Sequence, residues 1–245
     1  MNIVHVGCSF SRGYYGDIKV DPNPHPSRNL CDILAKKLPK HLIYNFSLYI
    51  SSIETQCFAI HHLLKKQQKI DLLIWQVTTA YRLGFINNTN RFLDHVDYSH
   101  CTPNDEIDNI FTLKQNMCGK NFDPWYSSYF VNIGRASQTG GSNWFDKTYL
   151  NLMKYAVNSV GRHWSIESSL ANIMYTKNLL EKRNIPHIIF PWLDDYKKAD
   201  TFDLFDFVVE KEIDFNSQWH DNGHHFGPIG LHKVADLILP LVQKI

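Results

Sequence analysis

Leu72-Leu-Ile-Trp-Gln-Val77 is a six-residue run with one polar member, closed by Asp71 on one side and Thr78-Thr79 on the other. A strand with one face in water alternates apolar and polar side chains. This run is apolar on both faces, which predicts a strand buried between helices in a parallel sheet. Working outward, Ile3-Val-His-Val6, Leu42-Ile-Tyr-Asn-Phe46 and His187-Ile-Ile-Phe190 are runs of the same kind. Between them apolar residues recur at helical spacing: Leu30, Leu34 and Leu38 in residues 27–38, and Ile53, Cys57, Ile60 and Leu64 in residues 53–64. Residues 166–180 are rich in Leu, Met and Ala. Pro228 suits a first helical turn and opens a last helix through Val234, Leu237, Leu239 and Val242. Apolar strands alternating with amphipathic helices predict an α/β fold, with a parallel sheet covered on both faces in three layers.

The 245 residues fit one large domain over 1–245 when a domain averages about 150 residues. The alternation breaks between Gly84 and Phe145, where Asn, Asp, Ser and Gly mix with Trp125, Tyr126, Tyr129, Phe130 and Trp144. We expect an insertion after the third strand over 84–145. It is either a lid whose Trp125 and Trp144 touch substrate or a segment whose aromatics pack it onto the sheet. Lys and Arg number 25 against 24 Asp and Glu, a net charge of +1, so no global field draws the chain to nucleic acid or an anionic membrane. The five cysteines, Cys8, Cys31, Cys57, Cys101 and Cys118, are odd in number, scattered and never spaced CxxC. That excludes a disulfide framework and a zinc ribbon. No basic leader opens the sequence, and no apolar run approaches the roughly 18 residues of a membrane span. The expectation is a soluble, unexported chain with no membrane partner.

Two segments carry chemistry. Gly7-Cys8-Ser9-Phe10-Ser11 follows the first strand, and ligands of parallel sheets bind at the carboxyl ends of the strands, so Ser9 is a candidate nucleophile. It is not the GxSxG elbow, because Ser11 stands where the second glycine would be. Cys8, its neighbour on an extended segment, is expected to face the core. The other segment is Trp219-His-Asp-Asn-Gly-His-His-Phe-Gly-Pro-Ile-Gly230, just before the last helix. Its histidines and aspartate suit a general base with an orienting carboxylate, a metal site of His220, Asp221, His224 and His225, or a solvated loop.

Together, the Gly-x-Ser-x-Ser after the first strand and the histidine motif before the last helix resemble the SGNH (GDSL-like) hydrolases. The resemblance implies a flavodoxin-like α/β/α fold and metal-free hydrolysis of esters, often acetyl or acyl esters of carbohydrates and lipids. Ser9 matches the nucleophile, and its main-chain N–H one oxyanion donor. The family often has a glycine five and an alanine ten residues after the catalytic histidine, and Gly230 and Ala235 stand so after His225. In that register Asn222 occupies the aspartate position, with Asp221 one residue earlier. Asp221 serves His225 across a bulge, or Asp221 and His224 form the pair, or Asn222 or a carbonyl orients a Ser-His dyad. The order favoured is Ser9, His225, Asp221.

The middle motifs depart further from the family. A main-chain N–H near Ile50 or Ser51 takes the place of the usual glycine donor, and Thr78 stands where an asparagine side chain serves the oxyanion. Arg82 is a candidate substrate contact or a surface ion pair. The Gly-Cys-Ser-Phe-Ser start, the Thr-x-x-Arg after the third strand and the His-Phe-Gly-Pro near the end are similar to a divergent branch from phages and marine bacteria, which implies a cytoplasmic or phage-associated protein. The implied reaction passes through an acyl-enzyme on a small-molecule or carbohydrate ester, with no metal or other cofactor. The rivals are a metal hydrolase built on residues 220–225 and a glycan-binding module that has lost its triad. The sequence does not specify an oligomeric state. His61-His62 lies on a helix, with one ring expected part-buried and one solvated.

Overall fold

The computed structural model describes residues 1–8, 11, 30–47, 51–65, 69–80, 83–86, 130–133, 162–194, 196, 203–214 and 228–245, with 83–86, 130–133, 162–165 and 228 described by backbone alone. The elements in chain order are β1 (Asn2–Val6), α1 (Leu30–Lys37), β2 (Leu42–Asn45), α2 (Ile53–Lys65), β3 (Leu72–Val77), β4 (Leu83–Ile86), β5 (Phe130–Ile133), α3 (Arg162–Lys182), β6 (His187–Pro191), α4 (Val209–Glu212) and α5 (Pro228–Val242).

The four apolar runs form one open parallel sheet in the order β2-β1-β3-β6. Val4 pairs with Tyr44 of β2 and with Leu73 of β3, and Trp75 pairs with Ile189 of β6. β3 is buried at all six positions, as its apolar faces required. Alternate side chains enter two cores. Val4, Val6, Leu73, Trp75, Val77 and Ile189 pack against α2 and α3, whereas Ile3, Leu72, Ile74, Ile188 and Phe190 pack against α1 and α5. The sheet is thus covered by helices on both faces. Among the described residues no helix is long and apolar enough to cross a membrane.

Local chemistry sets the helix ends. Ser52 caps α2, its Oγ accepting from the N–H of Thr55 at 3.3 Å. α3 stops where Asn184 takes a φ of 53°, with Ile185 N–H donating to Leu180 O (3.0 Å) and Asn184 N–H to Glu181 O (2.9 Å). This is a Schellman turn built on asparagine, and it feeds β6. α1 carries Asp32 in its first turn and Lys36 and Lys37 in its last, matching its dipole. Its described part begins at Leu30, and the expected start at Ser27 lies outside the described residues.

The sequence reading missed two features. β4 and β5 form a separate antiparallel pair, with Leu83 opposite Ile133 and Ile86 opposite Phe130, at the place where the alternation of strands and helices breaks. The rest of the expected insertion at 84–145, including Trp125 and Trp144, lies outside the described residues. Residues 206–210 also line the outer edge of β6. Asp206 N–H donates to Ile189 O at 2.8 Å, Ile189 N–H to the Asp206 carboxylate at 2.7 Å, and Glu210 N–H to Trp192 O at 3.0 Å. Because both chains ascend together, this segment lies parallel to β6 and occupies its exposed edge without completing a ladder.

Candidate functional site

β1 pairs with β2 on one side and β3 on the other, while α1 and α2 lie on opposite faces, so the chain reverses its winding direction between β1 and β3. Past Val6 and Trp75, the last registered pair of those strands, a crevice opens at their carboxyl ends, which is where ligands of doubly wound sheets bind. A cavity of about 30 Å³ lies there, lined by Cys8, Gln76, Thr78, Thr79 and residues 191–193. Among the described residues its lining carries no ionised side chain.

Buried side-chain amides organise this edge. Gln76 Oε1 accepts from Cys8 N–H at 2.8 Å and from Ser11 Oγ at 3.2 Å, while Gln76 Nε2 donates to Val77 O at 2.7 Å. Ser11 N–H donates to Cys8 O at 3.0 Å, closing a turn. From the other side, Gln56 Nε2 donates to Ser51 Oγ at 3.0 Å, and Ser51 Oγ donates to Gly7 O at 3.0 Å. Gln56 Oε1 accepts from Trp75 Nε1 at 2.9 Å and from Thr78 N–H at 3.4 Å. Tyr196 Oη donates to Thr78 O at 2.7 Å and ties the segment after β6 to the end of β3. Ser11, Ser51, Gln56 and Gln76 are all at most 1% exposed, so these bonds exchange no partners with water.

Thr78, expected to serve an oxyanion, sits at this edge and is 2% exposed. Cys8 faces the core, as expected, and joins the cluster around α1 and α5. Ser51 is buried with its hydroxyl on Gly7 O. Ser9, Ile50, Arg82, His220, Asp221, Asn222, His224 and His225 lie outside the described residues. Among the described residues no group of three or more His, Cys, Asp or Glu side chains could hold a metal ion.

The sequence reading passed over Gln56, Gln76 and Tyr196. The signal for Gln76 was present: an amide inside an otherwise apolar strand buried on both faces must find partners within the protein. Its partners, 65 and 68 residues away in the chain, were not legible.

Two further groups lie apart from the crevice. His5, fully buried on β1, shares a 2.9 Å hydrogen bond between its Nδ1 and Ser47 Oγ, and its Nε2 meets no partner among the described residues. Burial lowers its pKa to about 3, against a hydrogen bond with the Asn45 side chain that raises it, so the ring stays neutral. His61 and His62 are both half-buried rather than divided between core and solvent. His61 Nε2 bonds Thr176 Oγ1 at 3.0 Å and its ring meets Tyr175 edge-on, while His62 stacks on Phe58. Burial, then the nearby Arg183 charge, holds the His61 pKa below its usual value. The His61 ring joins α2 to α3.

Compared with known proteins, the chain matches no protein-family model and no curated protein.

Proposed function

We propose that residues 1–245 form a flavodoxin-like, SGNH-type serine ester hydrolase that removes acyl groups, O-acetyl groups on a carbohydrate foremost. The single observation that carries the proposal is the strand order β2-β1-β3-β6, which brings Gly7-Cys8 and Thr78 together at the carboxyl edge where the winding reverses. That order is the beginning of the flavodoxin-like 2-1-3-4-5 arrangement, and residues 206–210 run where its fifth strand would lie. Ser9 follows Cys8 directly in the chain. The segment with Asp221 and His225 connects α4 to α5, and α4 is tied to the same edge by Glu210 N–H on Trp192 O.

In the proposed reaction His225, oriented by Asp221, takes the proton of Ser9 as its Oγ attacks the ester carbonyl. The Ser9 N–H, a main-chain N–H near Ile50 and the Thr78 hydroxyl meet the oxyanion, whose collapse breaks the ester C–O bond and expels the alcohol with the proton from His225. Water, deprotonated by His225, then attacks the acyl-enzyme, and the acid leaves as Ser9 Oγ regains the proton. Arg82, Trp125 and Trp144 are the proposed substrate contacts.

The test is reaction of the purified protein with a fluorophosphonate, followed by mass mapping. Labelling at Ser9 that is lost in Ser9→Ala and His225→Ala is the expected result. A folded protein that is unlabelled at Ser9 and inert toward a panel of acyl esters would overturn the proposal.

A further inference from the structure

We infer that Gln76 is the positioning residue of this site: its side-chain amide holds Cys8 and Ser11, and through them the chain that carries Ser9. The effect on catalysis rests on the ester-hydrolase reading, while the effect on the backbone stands on the hydrogen bonds alone.

β1 and β3 stay in register only to Val6 and Trp75, so the next peptide groups of β1 need acceptors and donors from elsewhere. The Gly7–Cys8 peptide finds them in side chains at its two opposite edges. Its N–H donates to Gln76 Oε1 (2.8 Å), and its carbonyl accepts from Ser51 Oγ (3.0 Å), which Gln56 holds in turn (3.0 Å). One peptide group is therefore fixed at both edges, by the Gln76 amide directly and by the Gln56 amide through Ser51. Gln76 does more, because the same Oε1 also takes the Ser11 hydroxyl at 3.2 Å. The residues bounding Ser9-Phe10 thus share one acceptor atom. Gln76 Nε2 is committed to Val77 O at 2.7 Å, and rotating the amide would turn donors onto Cys8 N–H and a carbonyl onto a carbonyl. The amide has one satisfied orientation, which fixes Cys8 N–H and Ser11 Oγ against one atom. A nucleophile misplaced by about 1 Å loses on the order of a hundredfold in rate, which makes such a fixed anchor consequential for chemistry.

Gln76→Glu separates positioning from mere support. A protonated glutamic acid reproduces the pattern of the amide, with an oxygen for Cys8 and Ser11 and an O–H for Val77 O. Its carboxylate loses the donor and opposes that carbonyl. Because burial raises a carboxyl pKa, the variant passes from the amide-like form to the ionised form as pH rises through the raised value.

The experiment measures, for the full chain from pH 5.5 to 9, the limiting rate of fluorophosphonate labelling at Ser9 and the probe concentration giving half that rate. Amide exchange of residues 1–11 is followed alongside. Relative to wild type, Gln76→Glu is expected to label normally at the acid end. At the alkaline end its limiting rate should fall on the order of tenfold or more, with the half-rate concentration unchanged and exchange faster over the same pH interval. Wild-type rate and exchange at every pH overturn the inference. If Gln76→Glu does not fold, Ser11→Ala is used, with a several-fold lower limiting rate expected and wild-type behaviour refuting. Should the wild-type chain not be labelled at Ser9, the hydrolase reading fails by itself. Exchange in the variants then decides the anchor: faster exchange supports it and unchanged exchange overturns it.

Discussion

Gly7→Ala would put a methyl carbon 2.9 Å from Gln76 Oε1 and 3.0 Å from both Cβ and Oγ of Ser11. The backbone of Gly7 is not in the left-handed region, so alanine costs nothing there in φ, and the whole penalty is steric. The closest atom cannot withdraw cheaply, because Gln76 Oε1 is held by Cys8 N–H at 2.8 Å and Ser11 Oγ at 3.2 Å. Overpacking a tight interior costs about 1–3 kcal/mol. Pulling the acceptor from a buried N–H adds about 1–3 kcal/mol where the bond breaks. Relief of one contribution relieves part of the other, so about 2–4 kcal/mol is expected in total. For a domain of this size that lowers the melting temperature by about 5–15 °C. Urea unfolding should show a lower midpoint at unchanged slope. In a Gln76→Ala background the nearest contact is gone, and the cost of the alanine should fall by about 1 kcal/mol or more. A Gly7→Ala protein within about 0.5 kcal/mol of wild type, or an equal cost in both backgrounds, would refute the packing argument.

Trp75→Phe removes the indole donor to Gln56 Oε1, leaving that oxygen with the longer Thr78 N–H bond at 3.4 Å, and should destabilise by about 1–3 kcal/mol in urea titrations. His5 has a folded pKa lowered to about 3 against 6.5 for the free side chain, so the unfolded chain binds the proton more readily. The sign follows: its contribution to stability is complete above pH 6.5 and is lost as pH falls from 6.5 to about 3, amounting to about 2 kcal/mol between pH 7.5 and 5. His5→Gln should flatten the stability–pH curve by that amount, and an unchanged curve would show that His5 is not the group titrating. Burial pushes the Cys57 thiol up to about 12, with nearby Glu54 adding to the shift. Iodoacetamide at pH 8 should therefore leave Cys57 unmodified in the native protein and alkylate it in urea, as read by peptide mass.

The sheet was legible because parallel strands buried on both faces are continuous apolar runs, and β1, β2, β3 and β6 lie where those runs lie. The start of α5 at Pro228 was legible because a proline fits a first helical turn. The β4–β5 pair was not, since Leu83-Gly-Phe-Ile86 is short and carries a glycine, and its partner Phe130–Ile133 lies far along the chain. The segment 206–210 escaped notice for another reason. Its acceptor toward Ile189 is the Asp206 side chain, and side-chain substitutes for a ladder leave no periodic trace. At the site, Gly7, Cys8 and Thr78 were legible from their places after apolar runs. What joins them was not, because hydrogen bonds over 65 to 68 residues depend on sheet order, and sheet order depends on crossovers that the local pattern does not encode.

Sheet order also explains why amides, rather than charged groups, hold this edge. Where β1 and β3 part, one peptide unit needs partners for both its N–H and its carbonyl, and Gln76 and Gln56 are themselves at most 1% exposed. A carboxylate there could accept but not donate, and an ammonium could donate but not accept. Either would carry an uncompensated buried charge. A neutral amide does both without charge, and Gln76 and Gln56 each do so with all the atoms the geometry requires. The consequence for function is directional. Among the described residues the turn is held by neutral groups alone, so the bonds that fix it add no formal charge to the carboxyl edge.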